Sequence, residues 1–157
     1  MTDARLTFPL RSEEDTTRLG RWFAHHLGAG DVVALDGPIG AGKTHFARAL
    51  IRERLGYAED VPSPTFTLIQ TYPADVEVWH ADLYRLTHPD EVLELGLDDA
   101  FQTAICLIEW PERMGALLPA DAIRLRLIPD GEHRMAEVAP GPRPVLAAAL
   151  RADWGAA

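Results

Sequence analysis

Asp31-Val32-Val33-Ala34-Leu35-Asp36-Gly37-Pro38-Ile39-Gly40-Ala41-Gly42-Lys43-Thr44-His45-Phe46 is the stretch on which the fold turns. Residues 31–36 form a short apolar run bounded by Gly30 and Gly37, which reads as a buried strand. Gly37 to Thr44 has the spacing Gly-x-x-x-x-Gly-Lys-Thr, the P-loop pattern. Thr44 to Leu55 then carries Phe46, Ala47, Leu50 and Ile51 at helical spacing and stops at Gly56. Strand, glycine-rich loop and helix follow one another as phosphate binding requires. Glycines let backbone N–H groups curl around phosphate oxygens, and the helix N-terminus adds partial positive charge.

Lys43 is the only lysine; every other strong base among the 15 Lys plus Arg is arginine. A compact ammonium on a flexible stem reaches a phosphate that a planar guanidinium would crowd. A tight glycine turn with a surface lysine is the plain alternative, and the flanking strand and helix argue against it. Gly37, Pro38, Ile39, Gly40, Ala41, Gly42, Lys43 and Thr44 are therefore the candidate nucleotide-binding residues. The expected fold is α/β: a single P-loop domain spanning 1–157, with a mixed, mostly parallel sheet flanked by helices. Residues from about 140 onward are the least characterised part of that domain.

Working outward, Leu6 to Leu10 reads as an edge strand, where Pro9 is tolerable. Ser12-Glu13-Glu14-Asp15 opens a helix that carries Leu19, Trp22, Phe23 and Leu27 and stops at Gly28. Thr65 to Tyr72 and Val76 to Asp82 read as two strands joined through Pro73-Ala74-Asp75. Pro89 to Leu95 is a short helix capped by Gly96, and Asp98 opens another. Ala104 to Glu109 is a continuous apolar run ending in an acid, a central strand covered on both faces. Ala122 to Ile128 and Arg134 to Val138 alternate as a hairpin about Pro129-Asp130-Gly131. Pro144 to Ala152 reads as a C-terminal helix with a frayed end.

Hydrolysis or transfer also needs Mg²⁺ held by Thr44 and an acid at the end of a neighbouring strand. Glu109 and Asp82 compete for that role. Glu109 should emerge at the carboxyl edge of the sheet, where open α/β sheets bind ligands. Alternation places Val76, Val78, His80 and Asp82 on one face; His80 reads first as a packed or hydrogen-bonded strand residue. Pro62-Ser63-Pro64-Thr65-Phe66-Thr67 presents Thr65 from a proline-stiffened loop. That loop is either a nucleotide-sensing switch or a rigid lead-in to a strand.

Net charge is −9 and no basic run exists, so direct nucleic-acid binding is not expected. No asparagine occurs, so the Asn-Lys-x-Asp guanine signature is absent and ATP is favoured over GTP. No run of eighteen apolar residues is present. Cys106 is the single cysteine and cannot form an internal disulfide, and a reducing cytoplasm is the expected location.

Five motifs in order and spacing give a further reading: residues 37–44, Ser-Pro-Thr-Phe-Thr-Leu (63–68), His-Ala-Asp-Leu-Tyr-Arg-Leu (80–86), Glu-Leu-Gly-Leu (94–97) and Ile-Cys-Leu-Ile-Glu-Trp-Pro-Glu (105–112). Over Leu6 to Val138 the chain resembles the TsaE (YjeE) family, small ATPases of tRNA threonylcarbamoyladenosine synthesis. The resemblance implies ATP and Mg²⁺ as cofactors, with Thr44 and Glu109 around the metal and Lys43 on the phosphates. It implies a switch at Ser63 to Thr67, an essential acid at Asp82, and an adenine side near Ser12 to Thr16 and Arg134. It also implies work through a TsaB–TsaD protein pair. Pro38-Ile39 stands for the commoner Asp-Leu, and Ala81 for an aromatic. A small-molecule kinase is the alternative reading; Arg85 and Arg113 are its best-placed arginines, but no lid-sized insertion is present.

Overall fold

Apolar runs with no polar face need cover on both sides, and two such runs become neighbouring inner strands in the computed structural model, which describes residues 5–57, 60–62 and 68–155. In chain order the elements are β1 (Leu6–Leu10), α1 (Glu13–Ala24), β2 (Val32–Asp36), α2 (Lys43–Leu55), β3 (Ile69–Tyr72) and β4 (Val78–Asp82). They continue with α3 (Glu91–Glu94), α4 (Leu97–Thr103), β5 (Ile105–Glu109), a 3-10 segment (Pro111–Leu117), β6 (Ile123–Asp130), β7 (His133–Ala139) and α5 (Pro144–Trp154). Among the described residues these strands form one seven-stranded sheet in the order β1-β7-β6-β2-β5-β4-β3. The strands β6, β2, β5 and β4 pair in parallel, and the β7 and β3 pairings are antiparallel. The sheet is thus mixed and mostly parallel, with β2 and β5 in its middle, as expected.

The register decides what meets at the carboxyl edge. Leu35 of β2 lies opposite Glu109 of β5, and Glu109 lies opposite Asp82 of β4. Side chains alternate across a strand, so the sheet separates two apolar layers. Val33, Leu35, Val78, Ile105 and Leu107 face α1 and α2, whereas Ala81, Cys106 and Ile108 face Leu83, Leu97 and Met114. Burial pushes the Cys106 thiol up to about 12, consistent with a small packed hydrophobe.

Local chemistry explains the helix limits. Ser12 caps α1 through its Oγ, which accepts from the Asp15 N–H at 3.2 Å, and Glu13, Glu14 and Asp15 complement the positive end of the helix dipole. Helix α2 stops at Gly56, whose left-handed backbone lets its N–H reach Arg52 O. The two helices cross closely at Gly20. A Cβ there would fall 2.7 Å from Phe46 O and 2.9 Å from the Ala49 Cβ. Alanine in a helix gains about 1 kcal/mol over glycine, but overpacking against a fixed carbonyl costs about 1–3 kcal/mol. Gly20→Ala is therefore expected to be net destabilising, read as a lower urea midpoint. A midpoint at or above wild type would show that the helices separate freely.

Several sequence expectations shift. The loop before β4 is longer than Pro73-Ala74-Asp75, since β4 begins at Val78, not Val76. Leu68, expected within a strand, has φ +67, and β3 begins at Ile69. Residues 63–67, which hold the proposed switch and Thr65, lie outside the described residues. The hairpin turns at Gly131 and Glu132, because Pro129 and Asp130 still pair with Arg134 and His133. Helix α1 ends at Ala24, short of Gly28. Helix α5 is not frayed where expected. It continues to Trp154, whose ring packs 5.1 Å from Phe8 while Trp22 Nε1–H donates to Asp153 at 2.7 Å.

Candidate functional site

The carboxyl ends of β2, β5 and β4 open into a cavity of about 600 Å³, a volume suited to a nucleotide. Its lining includes Gly40, Gly42, Lys43 and Thr44 from the loop, and Asp82, Glu109 and Trp110 from the neighbouring strands. Residues far apart in sequence thus converge because parallel strands deliver their last residues to one edge.

Loop 37–44 is shaped to bring backbone against a ligand. Gly37, Gly40 and Gly42 all hold positive φ, and a Cβ at Gly37 would lie 2.6 Å from Leu127 O. Gly42 caps α2 without a side-chain hydrogen bond, and no acid occupies the first turn of that helix. Its N–H groups and dipole are thereby left to an external anion. Pro38, Ile39 and Gly40 are exposed, with Ile39 at 75%. Ala41 is buried and anchors the loop from below.

Lys43 is folded back in this structure. Its Nζ donates to Gly37 O at 2.7 Å and lies 3.6 Å from the centroid of the Trp110 ring. Burial pushes its ammonium below the ordinary value of 10.5, while Glu109, Asp82, Glu112 and Asp36 pull it back up. A bound polyphosphate strengthens that upward pull, so nucleotide prefers the charged lysine. Affinity for ADP is thus expected to be steady near neutral pH and to fall with rising pH before 10.5 is reached, with proton uptake on binding in that range. Calorimetry across pH should show this fall in wild type, and the proton uptake should appear as a binding heat that varies with the ionisation enthalpy of the buffer.

Thr44 and Glu109 meet directly. The Thr44 hydroxyl donates to Glu109, 3.1 Å from Oε1 and 3.0 Å from Oε2, and Glu109 is 3% exposed. A hydroxyl and a carboxylate beside a phosphate cradle form an all-oxygen donor set, which fits Mg²⁺ shared between protein and phosphate. Asp82 is also buried at the cavity, its Oδ1 accepting from the Tyr84 N–H at 3.1 Å. The sequence-derived residues Lys43, Thr44, Asp82 and Glu109 are therefore brought together.

Three further residues bear on the site. Trp110 has φ +60, a strained value for a non-glycine residue, which turns its ring onto Lys43 and Tyr84. Its only sequence signal is its place between Glu109 and Pro111. Arg134, expected on the adenine side, reaches the cavity but donates to Ala41 O at 2.6 Å and Gly40 O at 2.8 Å, bracing the loop. His80 lies wholly buried against Glu109. Ser12, Glu13 and Thr16 line the cavity where the adenine side was expected.

Comparison with known proteins agrees with this geometry. The family model described as "Threonylcarbamoyl adenosine biosynthesis protein TsaE" matches residues 10–136. A tRNA threonylcarbamoyladenosine biosynthesis protein TsaE from Rickettsia bellii is 40% identical over 131 residues, covering 82% of this chain and 91% of the relative. The TsaE protein of Bacillus subtilis is 38% identical over 114 residues, covering 71% of this chain and 70% of the relative. The crystal structure of Bacillus subtilis YdiB superimposes with a TM-score of 0.76 at 28% identity, covering 92% of each chain. Motif, fold and relatives agree over the same span, and the chain belongs to the TsaE family.

Proposed function

We propose that this chain is a Mg²⁺-dependent ATPase that supports threonylcarbamoyladenosine modification of tRNA by acting on a TsaB–TsaD pair in the cytoplasm. The observation that carries this reading is the contact of Thr44 Oγ1 with both Glu109 carboxylate oxygens, in the first turn of α2, whose N-terminus has no side-chain cap. Family membership supports the pathway, and the geometry of the site supports the chemistry.

Thr44 and Glu109 would hold Mg²⁺, which would supply neutralising charge to the phosphates. The backbone N–H groups of 37–44 bind and orient the triphosphate. Lys43 moves its ammonium from Gly37 O and the Trp110 face onto the phosphates. Asp82 orients the attacking water and accepts its proton. Hydrolysis also needs transition-state charge neutralised, commonly by an arginine. Arg134 is committed to the loop carbonyls, Arg113 lies 5.9 Å from the Tyr84 ring, and Arg85 lines the cavity but lies in no recognisable finger motif. Hydrolysis by the isolated chain is accordingly slow, and the partner pair completes the site.

The test is the ATP hydrolysis rate of the chain alone, with TsaB–TsaD, and with small-molecule acceptors. A clear rise with the protein pair is expected. Rapid turnover without a partner, or turnover that needs an acceptor molecule, would favour a kinase. Direct tRNA binding should be negligible at physiological salt, given the net charge of −9. No helix among the described residues is long and apolar enough to cross a membrane.

A further inference from the structure

His80 stands two residues behind Asp82 on the same face of β4, where the proposed chemistry makes no use of it. Opposite it in the parallel pair is Leu107, which places Glu109 diagonally ahead on the same face. His80 is fully buried, and its Nε2 lies 2.6 Å from Glu109 Oε2. An ionised carboxylate only accepts, so Nε2 carries the hydrogen and donates it. The other ring nitrogen, Nδ1, is buried with no hydrogen-bond partner among the described residues. A residue kept here only for packing would serve better as an apolar side chain, since an orphaned buried polar atom is costly. What the ring supplies is the contact with Glu109.

That contact matters because Glu109 has few other ways to stay ordered. It is buried, and a buried carboxylate needs donors. Among the described residues its other side-chain donor is the Thr44 hydroxyl. A cation would engage a lone pair of the Thr44 oxygen and leave its hydrogen to donate, so the Thr44 and His80 donors would hold Glu109 together. We propose that His80 is a positioning residue: its Nε2–H holds Glu109 Oε2 so that the carboxylate faces Thr44 and receives Mg²⁺ with the nucleotide. This inference rests on the Mg²⁺–ATP reading of the site. It gives β4 two tasks on one face, Asp82 at the cavity and His80 behind Glu109.

The test is binding, not turnover. Affinity for a non-hydrolysable ATP analogue is measured by calorimetry with Mg²⁺ and with chelator, in wild type, His80→Leu, His80→Gln and Glu109→Gln. His80→Leu should lower the Mg²⁺-dependent gain in affinity by about 10-fold or more, while the metal-free affinity stays at the wild-type value. His80→Gln, whose amide nitrogen can donate at similar reach, should recover most of that gain. Should His80→Leu fail to fold, His80→Asn takes its place, because its amide is too short to reach Glu109. The proposal fails if the leucine or asparagine variant keeps the wild-type Mg²⁺ gain, if glutamine rescues nothing, or if metal-free affinity falls in step. Glu109→Gln separates the two levels. If it keeps the Mg²⁺ gain, the metal reading itself is wrong. If it loses the gain while the His80 variants keep theirs, only the role of His80 is overturned.

Discussion

Lys43→Ala should erase nucleotide-dependent stabilisation while leaving the fold in place. ATP at 100 times its dissociation constant stabilises wild type by about 2.7 kcal/mol, a rise in Tm of about 5 to 11 °C for a chain of this size. The interactions that the variant loses in the ligand-free protein are few: one hydrogen bond to Gly37 O and the contact with the Trp110 ring. Relief from burying a cation offsets part of that loss, because burial already works against the Lys43 ammonium. Ligand-free melting should therefore stay close to wild type. Turnover should fall by about 10² to 10³, the usual cost of removing one preorganised charge or donor at a reacting group. Lys43→Arg should rescue poorly, since a planar guanidinium does not fit where the slender ammonium lies between Gly37 O and an indole. Differential scanning fluorimetry with and without Mg–ATP decides the matter. A wild-type thermal shift in Lys43→Ala would remove loop 37–44 as the nucleotide site.

The parts of the site legible in the sequence are those that local pattern determines. Loop 37–44 announces itself because few backbones other than a phosphate cradle need those glycines at that spacing. Glu109 was visible because an acid closing a purely apolar strand must emerge at an edge of the sheet. What stayed hidden depends on register between distant strands. His80 alternates correctly with Asp82, but its contact with Glu109 exists only because β4 pairs with β5 one residue in phase, Asp82 opposite Glu109. A slip of one residue would turn His80 to the other face. Arg134 was expected on the base side, and hairpin pairing adds what local pattern did not give, its hydrogen bonds to the loop carbonyls. The docking of β6 alongside β2 in parallel had no local signal at all, since alternation describes a strand and not its neighbour. The boundary errors have a similar origin. Leu68 is apolar and follows a β-like run, yet it takes positive φ, where its carbonyl accepts from the Asp82 N–H at 2.8 Å. Trp154 ends α5 in order because Phe8 and Asp153 hold Trp154 and Trp22 in one cluster, a tertiary gain that composition near a terminus does not reveal.

Asp82→Asn and Glu109→Gln should fail in different ways, although their carboxylates occupy facing positions on adjacent strands. Glu109 touches Thr44 at the start of α2, so its loss would strike the proposed metal shell. Glu109→Gln should weaken Mg²⁺-dependent ATP binding and carry hydrolysis down with it. Asp82 makes a different contact: its Oδ1 accepts from the Tyr84 N–H. An asparagine oxygen can accept the same bond, so Asp82→Asn should keep the turn after β4 and the nucleotide affinity. What it lacks is a carboxylate to orient water and take up a proton, a loss of about 10² to 10⁴ in rate. Single-turnover hydrolysis in the presence of TsaB–TsaD, measured beside the ATP dissociation constant, separates the two. Retained binding with lost hydrolysis in Asp82→Asn, against lost Mg²⁺-dependent binding in Glu109→Gln, is the expected pattern. The reverse pattern would exchange the two roles. Normal hydrolysis in both variants would remove both acids from the mechanism and leave the loop as a site that binds nucleotide without turning it over.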